Sequence, residues 1–192
     1  RPTNEAEDNP IRQLSQYEMD VLDFLKLLKV DVLGLDILAI MADASALIQQ
    51  RHGLTLTIGN IPIDDAETYK FLGKGQTAGV FQLEGAGMTR FLAQMKPREL
   101  NNIIAMVALY RPGPMKFIPN YINRLQGREK IEYDHPLLEP IFRETFGVAI
   151  YQEQVMFAAI DLAGYSASEA DDLRKAISKK KKEAIEKHRE KF

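Results

Sequence analysis

From Ile37 onward the apolar residues recur at intervals of three and four: Ile37, Leu38, Ile40, Met41, Ala44, Leu47 and Ile48, in a run that stops near Gly53. That period puts one apolar stripe on a helix and excludes a strand, whose period is two. Asp36 stands before the run as its expected N-cap. The same pattern returns along the chain, cut by prolines and glycines. Asp64 and Asp65, after Pro62, open a short helix that ends at Gly73. PRELNNIIAMVAL, residues 97–109, predicts a helix with Pro97 at its start, broken by YRPGP. HPLLEPIFRETFG predicts another with a C-terminal glycine. Ser166 and Glu169 form a capping box for the helix carrying DDLRKAISKK. Seven or eight helices and few strands are expected. The fold class is mainly α, an α+β chain with a few short strands.

One stretch breaks the helical period. LLKVDVLGL, residues 27–35, is short, apolar and β-branched, and it reads as a half-buried strand with Lys29 and Asp31 on one face and Val30 and Val32 on the other. An ammonium and a carboxylate on one face of such a strand admit two readings. One is a salt bridge at a strand end; the other is a metal carboxylate beside a phosphate-binding lysine.

Composition bounds the rest. The 192 residues are 45% hydrophobic and 27% charged with a net charge of −2, as in a globular chain able to bury a core. No apolar run approaches the ~18 residues of a membrane span, and no signal-peptide pattern opens the chain. Cys is absent, which excludes disulfides, zinc thiolates and thiol nucleophiles and agrees with a cytoplasmic location. The first residue is Arg, and KKEAIEKHREKF reads as a helix still running at the last residue. Both features lead us to expect a piece of something longer. Charge is uneven: from Arg174 onward there are nine basic residues against three glutamates, leaving 16 basic and 24 acidic residues in the remainder. An acidic body with a basic end is a footprint of polyanion binding.

Few residues offer chemistry. The three histidines (52, 135 and 188) lie near no Ser or second His in a nucleophilic pattern, and His135, before a proline, reads as a helix-entry residue. GKGQT, residues 73–77, lacks the early glycine and the Lys-Ser/Thr pair of a phosphate-binding loop. In YRPGP, the stiff Pro-Gly-Pro turn holds Arg111 at its entrance, where a guanidinium suits either bidentate phosphate binding or pinning a buried Glu. On the helix from Ala167, residues Ala170, Leu173 and Ile177 face a core, while Arg174 and Ser178 stack four apart beside Lys175 and Lys179. A solvated face interleaves acids, and residues 173–182 contain none, so the strip reads as a site for a triphosphate or a DNA backbone. Glu153 in YQEQVM reads either as a helix N-terminal acid or as an arginine partner.

Assembled in order, KVDVLGL, GVFQLEGAGM, ALYRPGP, GVAIYQEQVM and GYSASEADDLRKAISKKK resemble the bacterial C-family replicative DNA polymerases, the DNA polymerase III alpha subunits, from about Gln16 to Phe192. The resemblance implies that residues 1–36 end a palm domain and residues 37–192 begin a helical fingers domain, truncated at its C-terminus. It implies that Asp31 is the third catalytic aspartate and a metal ligand. Lys29 then corresponds to the palm lysine facing the incoming nucleotide, and Arg174 and Lys175 to the basic pair on its triphosphate, with Arg111, Ser178 and Lys179 as further phosphate-binding candidates. The implied cofactor is Mg²⁺ in a two-metal site completed outside these residues, and the implied partners are primer-template DNA, deoxynucleoside triphosphates and other replisome subunits, with no membrane. The chain departs from the family pattern at Lys175, where a second arginine is usual, at Gly85, where Ser is common, and at Ser178, where Gly is common. Without the other two aspartates the chain alone is expected not to polymerise. The alternative is a non-catalytic helical module that binds DNA or a protein through its basic C-terminal helix.

Overall fold

The computed structural model describes residues 15–32, 34–180 and 182–192, and all but the side chain of Glu190 among them. Residues 1–14 lie outside the described residues. The chain divides into two compact units, Arg1–Thr55 and Leu56–Phe192. Ten α-helices and three 3₁₀ turns account for the regular structure, with no strand among the described residues. None of the described helices is long and apolar enough to cross a membrane.

The first unit holds α1 (Met19–Phe24) and α2 (Asp36–His52), and Gly53 closes α2 with φ at 68°. Asp36 is the first residue of α2 rather than its cap. Leu35 precedes it with extended backbone, and the Asp36 carboxylate instead meets the positive end of the helix dipole. No strand forms among the described residues of the stretch expected to make one. Residues 27–32 carry no regular structure, and Val30 and Val32 are 70% and 90% exposed rather than half buried. A strand exists only where a neighbour takes up its N–H and C=O groups, and no such neighbour lies among the described residues. Neither α1 nor α2 buries a side chain.

The second unit holds the core. Asp65 caps α3 (Ala66–Gly73) by accepting the Thr68 N–H at 3.0 Å, and a bond from the Thr68 hydroxyl, with this backbone bond after it, holds its carboxyl below the ordinary value. Helices α4 (Ala86–Met95), α5 (Leu100–Leu109) and α6 (Ile118–Leu125) pack through Met88, Leu92, Met106, Leu109, Ile118 and Tyr121, all buried. The α5 helix starts at Leu100, not at Pro97: Asn102 Oδ1 accepts the Arg98 N–H at 3.0 Å and shapes a turn ahead of it. Residues 136–145 form no continuous helix either. A 3₁₀ turn, the short α7 (Glu139–Phe142) and a second 3₁₀ turn follow one another, because Pro140 removes an N–H and its ring blocks the carbonyl of Pro136. His135 caps the first of these turns, its Nδ1 accepting the Leu137 N–H at 3.2 Å.

Helices α8 (Gln152–Ala163), α9 (Ala167–Ser178) and α10 (Lys182–Lys191) pack in sequence, α8 on α9 and α9 on α10. The expected capping box is present: Ser166 Oγ accepts the Glu169 N–H and Glu169 Oε2 accepts the Ser166 N–H. Between α9 and α10 the backbone turns through Lys180 at φ 51°. The end of α10 is tied back to α9. The buried Tyr165 donates its hydroxyl to His188 O at 2.9 Å, and Lys191 pairs with Glu169 while lying over the Tyr165 ring.

Candidate functional site

The residues singled out fall into two groups, Lys29 and Asp31 in the first unit and Arg111, Arg174, Lys175, Ser178 and Lys179 in the second.

The side chains of Lys29 and Asp31 form an ion pair, Nζ to Oδ2, at 3.4 Å. Both are open to water, 62% and 67% exposed, so the pair contributes little stability. Among the described residues no group of three or more His, Cys, Asp or Glu side chains is placed to hold a metal ion. Asp31 brings one carboxylate, and a hard divalent cation needs several oxygen ligands. The described residues therefore do not by themselves fit Mg²⁺.

On α9 the inward face is Ala170, Leu173 and Ala176; Ile177, expected there, is 44% exposed. One turn upstream of the basic strip stands Asp171, and it changes the expected picture of cations without acids. Its Oδ1 accepts from Arg174 Nε at 2.8 Å and lies 2.8 Å from Arg174 Nη2, while its Oδ2 meets Lys175 Nζ at 2.7 Å. The two cations, Lys175 first, hold the Asp171 carboxyl below its ordinary value, and Asp171 in turn raises Lys175. Across the helix pair, Gln152 Oε1 accepts from Arg174 Nη1 at 2.9 Å. Ser178 ends α9 and Lys179 follows it, both exposed, with Lys180 and Lys182 exposed beyond them.

Arg111 spends its Nε on Ala108 O at 2.9 Å, a carbonyl at the end of α5 left without a helical partner. Its side chain borders a shallow groove of about 550 Å³ with Gln82, Ile104, Val107 and Tyr110. Among the described residues it pins no Glu, and no hydrogen bond or ion pair joins it to α9. Glu153 stands in the first turn of α8 and is exposed; it is its neighbours that make contacts. Gln154 is buried, its Oε1 accepting from the Ile150 and Tyr151 N–H groups and its Nε2 donating to Ile141 O and Thr145 Oγ1. Sequence reasoning singles out neither Asp171 nor Gln152. The spacings of three and four from Asp171 to Arg174 and Lys175 announce the first. Nothing local announces Gln152, which lies 22 residues from Arg174.

The sequence model of the bacterial DNA polymerase III alpha subunit finger domain matches residues 37–192. The chain belongs to that finger-domain family. It is similar to the DNA polymerase III subunit alpha of Thermus aquaticus, 46% identical over 190 residues and 96% of this chain. The proteins of the same name from Chlamydia trachomatis and Bacillus subtilis are 48% and 45% identical, each over 93% of this chain. The chain spans only 14–16% of the length of these curated relatives. The finger-domain match takes in α2 to α10, and with them Arg111 and the whole α9 strip.

Proposed function

We propose that the chain is part of a cytoplasmic DNA-directed DNA polymerase subunit, with residues 1–36 ending its palm and residues 37–192 opening its fingers. Its substrates are deoxynucleoside triphosphates and primer-template DNA, and its setting is a replisome with further subunits. The observation that carries this reading is membership of the finger-domain family over residues 37–192, among relatives named DNA polymerase III subunit alpha.

In this reading Arg174, Lys175 and Lys179 offer positive charge to the triphosphate, and the Ser178 hydroxyl donates to a phosphate oxygen. Arg111, which borders the groove with its Nε held, takes a further phosphate. Phosphoryl transfer depends on positioning and on stabilising charge that develops on phosphate oxygens, which fixed cations supply. Asp31 contributes one carboxylate toward Mg²⁺, whose other ligands come from elsewhere in the longer subunit, and Lys29 faces the nucleotide. The 192 residues alone then do not polymerise, and template-directed incorporation by them would contradict this.

The exposed lysines after Ser178 favour a second reading, a helical module that binds DNA without catalysis. Charge reversal at Arg174 and Lys175 in the full-length subunit separates the two. The polymerase reading predicts a higher nucleotide KM and a lower kcat. The binding-module reading predicts instead a flatter salt dependence of DNA affinity with nucleotide kinetics unmoved.

A further inference from the structure

A guanidinium grips a phosphate well only if its plane is fixed before the phosphate arrives, and a free arginine side chain has many rotamers to lose. Arg174 is held in its plane from two directions. Asp171, on its own helix, accepts from Nε and forms an ion pair with Nη2 at 2.8 Å; Gln152, on α8, accepts from Nη1. An arginine carries N–H donors on all three nitrogens, two on each Nη. Beyond the hydrogen bonds to Asp171 and Gln152, N–H groups remain on both Nη1 and Nη2. The side chain is 29% exposed, so part of it is open to solvent.

We propose that Gln152 and Asp171 are positioning residues that clamp the Arg174 guanidinium so that its remaining Nη1 and Nη2 hydrogens form a preset two-pronged grip for a nucleotide phosphate. The inference rests on the assignment of Arg174 to the triphosphate. It adds a division of labour within the strip. Arg174 is fixed, because both its partners are anchored on helices packed against each other. Lys175 is held by Asp171 alone apart from a distant Asp172 at 3.9 Å, and its flexible stem is free to exchange Asp171 for a phosphate oxygen. Asp171 is thus both a brace for one cation and a displaceable counter-ion for the other, and its own depressed carboxyl keeps it charged for both tasks.

The test is steady-state primer extension by the full-length subunit carrying Gln152→Ala, Arg174→Ala, both together, Gln152→Glu and Asp171→Asn. Gln152→Ala is expected to lower kcat about tenfold, less than the ~10²-fold cost of a 1 Å misplacement. In the Arg174→Ala background the same change is expected to cost less than about twofold, because the group it positions is gone. Gln152→Glu, which keeps an acceptor oxygen in place, should restore kcat. It also provides the readout where the alanine variant does not fold, since an additional loss of kcat there would count against the clamp. Asp171→Asn should lower kcat without raising KM, since it releases Lys175 to the substrate. Equal costs of Gln152→Ala in both backgrounds would overturn the clamp while leaving Arg174 assigned. An Arg174→Ala variant with unaltered nucleotide kinetics would overturn the assignment and the clamp together.

Discussion

The hydroxyl of Tyr110 occupies the space that a Cβ on Gly87 would fill. Tyr110 ends α5 and Gly87 lies in the first turn of α4, so their contact sets how closely these two core helices approach beside the YRPGP turn. The Tyr110 ring also meets Phe91 edge-on with centroids 6.0 Å apart, which leaves it little room to swing aside. Gly87→Ala is expected to destabilise by about 1–3 kcal/mol through overpacking. Tyr110→Phe, which removes the blocking oxygen, should recover part of that loss in the double variant. Chemical denaturation of the four proteins gives the coupling directly.

Gln154 makes its four hydrogen bonds in a buried position and fastens the start of α8 to the segment around α7. Replacing it with Leu leaves the Ile150 and Tyr151 N–H groups unpaired and the Thr145 hydroxyl with its bond to Phe142 O alone. We predict a loss of roughly 1–3 kcal/mol or more in unfolding free energy. The neighbouring Glu153→Gln, at an exposed first-turn position, should change stability by no more than about 0.5 kcal/mol.

Gly147 and Gly53 both adopt the left-handed backbone conformation, with φ at 76° and 68°, yet their surroundings differ. A methyl group on Gly53 would meet nothing within 4 Å, whereas one on Gly147 would stand 3.1 Å from Arg124 Nη1 and 3.2 Å from the Glu132 carbonyl oxygen. Arg124 cannot retreat easily, since it donates to Glu129 at 2.7 Å and to Phe146 O at 3.1 Å. Gly53→Ala should cost about 1 kcal/mol for the backbone alone. Gly147→Ala should cost clearly more, measured as the larger drop in denaturation midpoint.

The attachment of α10 depends on a carboxylate. Lys191, and after it the Ser166 backbone, holds the Glu169 carboxyl down to about 2 from its ordinary 4.5. A group depressed in the folded state contributes stability that is complete above its unfolded value and is lost as pH falls toward the folded one. The contact of α10 with Tyr165 should therefore persist above about 4.5 and weaken between there and about 2. Hydrogen exchange of α10 amides across this range checks it, and Glu169→Gln should abolish the pH dependence.

What is legible in the sequence depends on how far apart the interacting residues lie. The capping of α3 by Asp65, the Ser166–Glu169 box and the glycine stop after α2 involve partners within a few residues, and each is found where the sequence places it. No strand forms among the described residues of LLKVDVLGL, because ladder formation depends on a neighbour that local pattern does not supply. A helix across residues 136–145 satisfies the apolar spacing, but Pro140 sits too deep in it to be a helix start, and the segment breaks into short turns. Periodicity puts Ile177 on the α9 core face, yet a spacing of four and a spacing of three differ by one residue, and Ala176 takes the buried position. In the candidate site, the cations of α9 are legible as a strip. Their restraint by Asp171 follows from local spacing, while the reach of Gln152 from α8 needs the packed helices.

The most direct test of the polymerase assignment concerns Asp31, whose exposed pair with Lys29 admits both a structural and a catalytic reading. Primer extension with Mg²⁺ should be measured for the full-length subunit and its Asp31→Asn variant, with primer-template affinity determined in parallel. The catalytic role predicts that extension is abolished while DNA affinity is nearly unchanged. Undiminished extension by Asp31→Asn would contradict it and reduce the Lys29–Asp31 pair to a surface salt bridge.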